Sequence, residues 1–250
     1  MDEKNLTDIS LSAVLIGIRF QRTWRILDIT GEMIDTIFRD KKSPFMLDTK
    51  YFPRVREEDK ARVLYNPDTN CFLRINIDDL IFRHEFEKTK KDLAWVFSSV
   101  KHFLIPKIID DYDIKRITRI GIVYYHYLDL ENLNMEDVKN IIGEELGRPN
   151  KFEMSFHKKI DAVAATIKKN INDYQNIIHS IKVKQYDKED AQKQRYEIGI
   201  DFQYYFDPSV DNFSGWNIDK FIASNQIYLN DKFYPWLKNI FSNFNIQQLK

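Results

Sequence analysis

The clearest indication of the fold class of this chain is the run at residues 114–127, Ile-Lys-Arg-Ile-Thr-Arg-Ile-Gly-Ile-Val-Tyr-Tyr-His-Tyr. It is rich in β-branched and aromatic residues and predicts a long strand. Residues 9–20 predict another strand, and the continuous apolar run at 13–18 indicates that this strand is buried on both faces. Elements of the same kinds follow both strands in the same order, so the pattern restarts at residue 114.

The first half continues with a helix and a series of strands. Thr23 is placed to cap a helix that starts at Trp24, because apolar residues then recur at helical spacing. Four strands are expected at 45–53, 61–65, 71–77 and 80–86, with a strong turn signal at 66–70. A helix follows over 93–109, and Pro106 predicts a kink or an early end.

The second half repeats this order. After the strand at 114–127 we expect a short helix from about 134 to 146. Three strands are expected at 152–167, 174–186 and 195–206, with loops near 169–173 and 187–194. The last helix begins at about Asn217, and Pro235 should kink or restart it.

The predicted fold class is α+β. Two pseudo-repeated units, 1–113 and 114–250, each consist of a strand, a helix, an antiparallel meander and a helix. Together they would form one curved sheet packed on long helices, with a shared core.

Composition excludes several classes of protein. The 250 residues include 38 Lys+Arg and 38 Asp+Glu, so the net charge is zero, and 43% are hydrophobic, which excludes intrinsic disorder. The single cysteine, Cys71, excludes a disulfide framework and suits a reducing cytoplasm. Met1-Asp2-Glu3 lacks the basic start of a signal peptide, and no apolar run approaches the ~18 residues that span a membrane. We therefore expect a cytoplasmic protein without membrane association.

Residues with catalytic potential do not form a recognisable motif. None of the five histidines has the spacing of a metal-ligand pair, so no metal and no cofactor are predicted. Alternation places Cys71 on the inner face of a strand as a small core residue. The acidic pairs and clusters, including Asp78-Asp79 and the residues 110–113, are typical of solvated turns, and their alternative use would be in a metal-dependent nuclease.

Basic and aromatic residues give better candidates for binding. Arginine and tyrosine interleaved on an open sheet can contact phosphates and stack on bases. The candidate binding residues are Arg116, Arg119, Tyr124, Tyr125, His126 and, in the last helix, Trp236. Successive side chains of a strand point to opposite faces of the sheet, so the candidates on this strand are divided between the two faces. Arg116, Tyr124 and His126 would lie on one face, and Arg119 and Tyr125 on the other. Trp236 could anchor a partner protein or pack on the sheet.

Three short motifs resemble a sporadically distributed prokaryotic family of unknown function and similar length. They are Ile18-Arg19-Phe20, Phe52-Pro53 and the run Arg119-Ile120-Gly121-Ile122-Val123-Tyr124-Tyr125-His126. The chain departs from the family pattern at Val123, where the family has a second arginine, and at His126, where it has asparagine. The first strand also has Ala13 and Gly17 where the family tends to have acidic residues. The resemblance implies no activity, although the sporadic distribution suggests phage-defence or toxin–antitoxin systems.

The leading functional hypothesis is a non-enzymatic binding or assembly protein. It would contact a partner protein, or a second copy of itself, through the sheet or the C-terminal helix. The first alternative is nucleic-acid binding by the sheet, and the second is a metal-dependent nuclease. The missing catalytic motif and the abundant aromatic residues favour the binding protein.

Overall fold

A computed structural model describes residues 10–46, 54–58, 61–86, 89, 91–114, 116–129, 164–172, 175–185, 194–206 and 217–236. The strands are β1 (Ser10–Phe20), β2 (Arg54–Glu58), β3 (Ala61–Asn66), β4 (Cys71–Asn76), β5 (Asp79–Glu85), β6 (Ile117–Asp129), β7 (Ala164–Asn172), β8 (Gln175–Gln185) and β9 (Gln194–Tyr205). The helices are α1 (Arg25–Arg39), α2 (Leu93–Ser99) and α3 (Ile218–Tyr228). The π-helical segments Val100–Asp110 and Leu229–Phe233 continue α2 and α3 respectively.

The described strands form one antiparallel sheet in the order β2-β3-β4-β5-β1-β6-β9-β8-β7. The two strands that the sequence marked as starts of the two halves, β1 and β6, are therefore neighbours at the centre. Their register places Gly17 opposite Gly121 and Arg19 opposite Arg119. The α+β class and the antiparallel sheet are confirmed.

One face of the sheet carries the core. Val14, Ile16 and Ile18 of β1 and Ile120 and Ile122 of β6 are buried there in a single cluster that also contains the apolar residues of the helices. Aromatic side chains of the helices pack against aromatic side chains of the sheet. Phe97 of α2 packs edge-on against Tyr124 of β6, and Tyr228 of α3 packs edge-on against Phe202 of β9. Burying these side chains supplies the main favourable free energy of folding.

The opposite face lies outside this core cluster, and we call it the open face. Its described members in the central strands are Leu15, Gly17 and Arg19 of β1, Ile81, Arg83 and Glu85 of β5, and Arg119, Gly121, Val123 and Tyr125 of β6. Phe72 and Arg74 of β4 and Asp201, Gln203 and Tyr205 of β9 continue it on the two sides.

Several local predictions need correction. α1 begins at Arg25 after Trp24, which makes no side-chain capping hydrogen bond, so the cap predicted at Thr23 is wrong. The helix over 93–109 exists, but beyond Ser99 it is π-helical, an arrangement that is rare at such length. Phe45 is buried in a turn and is not part of a strand, whereas β2 forms at Arg54–Glu58.

Other predictions fall partly or wholly beyond the described ranges. The helix at 134–146 lies outside them, as do the rest of the strand at 45–53 and most of the one at 152–167. Strand β7 extends through part of the loop expected at 169–173. Among the helices that the structure describes, none combines the length and the apolar character that crossing a membrane requires.

Candidate binding surface on the open face

Two glycines lie side by side at the centre of the open face. Gly17 and Gly121 are directly opposite each other in β1 and β6, so neither strand places a side chain there. Asp201 of β9 occupies part of this space, because a Cβ on Gly121 would lie only 3.2 Å from Asp201 Oδ1. The glycine in β6 thus lets a carboxylate approach the middle of the sheet.

Asp201 belongs to a polar cluster on β9. Gln203 Nε2 donates a hydrogen bond to Asp201 Oδ2 at 2.5 Å, and Tyr205 Oη donates one to Gln203 Oε1 at 2.7 Å. Burial raises the pKa of Asp201, while the hydrogen bond from Gln203 and the charges of Arg119 and Arg19 act in the opposite direction. The cluster therefore places two guanidinium groups near one half-buried carboxyl group.

A cavity of about 350 Å³ opens on the other side of β1. Its apolar lining residues, which we call the floor, are Leu15, Phe72 and Ile81. Its polar lining residues, which we call the rim, are Asn70, Arg74, Arg83 and Glu85, and Tyr65 also lines the cavity. Burying apolar surface against such a floor favours binding, while the rim supplies charged hydrogen-bond donors.

The guanidinium of Arg83 is held in place at this rim. Its Nη2 lies 2.9 Å from Glu85 Oε1, and its Cζ lies 5.6 Å from the centroid of the Tyr125 ring. Arg74 Nη1 lies 3.9 Å from Asp79 Oδ1. A preordered arginine loses less side-chain entropy when it meets a ligand, which makes this rim suited to binding.

The structure separates the six candidate binding residues. Arg119 and Tyr125 lie on the open face. Tyr124 and His126 point into the core with no exposed surface, so they are absent from that face. Arg116 precedes β6 in the left-handed region, at φ 55°. Trp236 is partly buried, and its ring centroid lies 5.9 Å from that of Phe233.

The two buried candidates join the sheet to different helical segments: His126 contacts the helical residues that follow α3, and Tyr124 packs against α2. His126 Nε2 lies 3.0 Å from Tyr234 Oη, and burial lowers the pKa of His126 to about 4. Burial also raises the pKa of the Tyr124 phenol, whose ring packs against Phe97 and Phe202. Both side chains are therefore neutral near pH 7 and act as polar members of the core.

Cys71 and His84 form a second buried contact that sequence spacing did not reveal. Sγ lies 3.3 Å from Nδ1, and both residues have no exposed surface. Burial raises the pKa of the Cys71 thiol to about 12 and lowers the pKa of His84. A nucleophilic dyad needs a thiolate that a substrate can reach, so this pair serves packing, as predicted for Cys71.

The acidic clusters serve as ion-pair partners and helix ends. Asp78 Oδ2 pairs with Arg22 at 3.2 Å, and Asp111 Oδ2 pairs with Lys107 at 3.1 Å. Asp113, at φ 51°, donates its backbone N–H to Asp110 O where the helix ends. Within the described ranges, no three His, Cys, Asp or Glu side chains are grouped as metal ligands.

Sequence reasoning overlooked the polar residues that β9 brings to this face. Asp201, Gln203 and Tyr205 alternate with the core residues Ile200, Phe202 and Tyr204 in a strand that was itself predicted. This alternation of polar and apolar residues is the sequence pattern that could have placed the three polar side chains on the open face. No protein-family model matches this chain, and no curated protein matches it.

Proposed function

We propose that the protein is a non-enzymatic binding protein that contacts a partner protein through its open face. The cavity bounded by Leu15, Phe72 and Ile81 carries this proposal, because an apolar floor beneath arginine and tyrosine is the usual make-up of a protein-interface hot spot. Its volume of about 350 Å³ suits one large apolar side chain of the partner.

The rim specifies what should surround that side chain. Arg74 and Arg83 are the cationic residues among the described residues that line the cavity. Arginine forms bidentate contacts with carboxylates and loses its hydration more readily than lysine. The proposed occupant is therefore an apolar side chain of a partner protein with acidic side chains next to it. A second copy of this chain is the other occupant that a test must distinguish.

Site-specific photocrosslinking in the native host tests this proposal. p-Benzoylphenylalanine would replace Tyr65, which is 37% exposed at the cavity, and in a control protein Ile227, which is 61% exposed on α3. We expect a protein adduct from position 65 that Arg83→Ala weakens and Arg39→Ala, on the exposed side of α1, does not. Equal adducts from both positions, or none from position 65, would contradict the proposal.

The identity of the crosslinked protein then shows whether the partner is a second copy of this chain or another protein. An adduct of twice the chain mass would indicate self-association. A partner from a phage-defence or toxin–antitoxin system would support the role that the family resemblance implies. We also propose a cytoplasmic location, which the single buried thiol of Cys71 supports.

We further propose that the two halves of the chain are pseudo-repeats. Ile16-Gly17-Ile18 and Ile120-Gly121-Ile122 differ by 121 − 17 = 104 positions, and the two glycines face each other in the register. Each half also pairs its first strand with its last, β1 with β5 and β6 with β9, before a helix that becomes π-helical. These parallels support a duplicated unit.

Nucleic-acid binding is the second candidate function. Arg19 and Arg119 are opposite each other in the two central strands, with Tyr205 beside Arg119 in β9. Phosphate contacts release counterions, so binding to single-stranded oligonucleotides should weaken steeply with salt and with Arg119→Ala. Binding that does not change between low and moderate salt would exclude this candidate.

A further inference from the structure

A second cavity, of about 260 Å³, lies at the end of the sheet where β1 leads into α1 and the helix after β5 leads into β6. It shares no lining residue with the cavity on the open face. Among the described residues that line it are three arginines, Arg22, Arg25 and Arg116, and one carboxylate, Asp113. The lining therefore has a clear excess of positive charge.

Hydrogen bonds hold Arg116 in this position. Its Nη1 donates to Gln21 Oε1 at 2.5 Å, and its carbonyl oxygen accepts from the Gln21 backbone N–H at 3.0 Å. The partner of its side chain is thus a neutral amide. Arg22 pairs with Asp78, but no ion pair joins Arg25 or Arg116 to a carboxylate of the described residues. Two guanidinium charges at the cavity are available to an external anion.

The lining of this cavity also includes aliphatic and aromatic side chains. Ile26 is buried, Ile29 is half-buried, and the Tyr112 ring stands beside them. Tyr112 Oη lies 2.8 Å from Thr36 Oγ1, which fixes the ring against α1. A ligand in this space would therefore meet both positively charged guanidinium groups and aromatic and aliphatic side chains.

We propose that this cavity binds a phosphate monoester, with the phosphate between Arg25 and Arg116 and the organic group against Tyr112 and Ile29. A phosphate monoester carries about −1.5 to −2 charges at pH 7 and three acceptor oxygens, and guanidinium groups match that geometry with paired N–H donors. The volume admits a small ring beside the phosphate. The site is independent of the open face and of any partner protein there.

Nuclear magnetic resonance of the full chain tests the proposal with phenyl phosphate, inorganic phosphate and acetate as probes. We expect saturable shifts of the arginine Nε–H signals of Arg25 and Arg116 by phenyl phosphate, with a Kd near or below about 1 mM. Arg25→Gln and Arg116→Gln should each weaken binding about tenfold, since each removes a charge-assisted hydrogen bond. Arg39→Gln, at the other end of α1, should leave the affinity unchanged.

The probes separate the sources of affinity. Phenyl phosphate binding more tightly than inorganic phosphate would support the role of Tyr112, and acetate binding more weakly than either would support phosphate over carboxylate. Shifts that do not saturate, acetate binding as tightly as phenyl phosphate, or equal affinity in the Arg25→Gln, Arg116→Gln and Arg39→Gln proteins would overturn the proposal. A cooperative thermal unfolding transition in each of the three arginine variants would confirm that the variant is folded.

Discussion

His126 is a titratable residue without solvent exposure, and this has a consequence for stability. A histidine in the unfolded chain has a pKa near 6.5, whereas burial lowers the pKa of His126 to about 4. Between these values only the unfolded chain binds the proton, so this contribution to stability is complete above pH 6.5 and is lost as the pH falls toward 4. The difference corresponds to about 3 kcal/mol.

Urea unfolding at a series of pH values measures this effect. We expect the free energy of unfolding to decline below pH 6.5, and to decline less steeply in His126→Gln, where the residue no longer titrates. His102 is exposed, and His102→Gln supplies the control for replacing a histidine with glutamine. If His126→Gln and the unmodified protein showed the same slope, His126 would have to be protonated or exposed in the folded state. Because the pKa of His84 is also lowered, the free energy of unfolding should still depend on pH in every variant.

The paired glycines at the sheet centre offer a matched comparison. A Cβ on Gly17 would meet only Leu15 Cδ2 at an ordinary 3.9 Å, whereas one on Gly121 would press on Asp201 Oδ1 at 3.2 Å. Alanine restricts the unfolded chain and usually stabilises a strand by up to about 1 kcal/mol where it fits. We expect Gly17→Ala to be more stable than Gly121→Ala by about 1 kcal/mol in denaturant titrations. Equal stabilities would mean that Asp201 moves aside freely.

Two of the described helices, α2 and α3, have side-chain caps. Asp92 accepts a hydrogen bond from the Trp95 backbone N–H at 2.8 Å at the start of α2, and Asn217 accepts one from the Lys220 N–H at 3.1 Å at the start of α3. Asp92→Ala should therefore destabilise the protein by about 1 kcal/mol in thermal or chemical unfolding. Asp92→Asn retains an acceptor and should lose much less. Equal losses in the two variants would assign the effect to charge and not to the cap.

Most described elements could be predicted from their residues, and the exceptions have local causes. β1, β4, β5 and β9 were found nearly to the residue, because their alternation or continuous apolar character is a property of the chain itself. Thr23 was assigned the α1 cap because capping residues are read from type alone, but the chain enters α1 at Trp24 in helical conformation, at φ −69°. The π-helical geometry after Ser99 leaves no comparable signal in composition.

At the scale of the whole molecule, the centre of the sheet joins the two halves. β1 and β6 pair from Ser10–Tyr127 to Phe20–Ile117, and the core cluster includes residues from both sides of that ladder. Separating the halves would expose the edge of a central strand and much of the core. We therefore expect a single urea transition, with coincident curves from tryptophan fluorescence and circular dichroism.

The two sequence units make this prediction testable in a second way. The fragments 1–113 and 114–250 should each fail to fold alone and should aggregate through the exposed edge of β1 or β6. Two separate transitions, or a fragment with native-like circular dichroism, would show that a unit is an independent domain.

The class of the fold, the long strands β1 and β6 and the abundance of arginine and aromatic residues could be predicted from the sequence, because composition and periodicity act over a few neighbouring residues. Which strands are neighbours, and which face of β6 remains outside the core, became known from the folded chain. The contacts that define both cavities join residues far apart in the chain, such as Gln21 with Arg116 and, in the register of β1 and β5, Leu15 with Arg83. Their register depends on how the two halves bury their apolar faces together, and no local pattern encodes that choice.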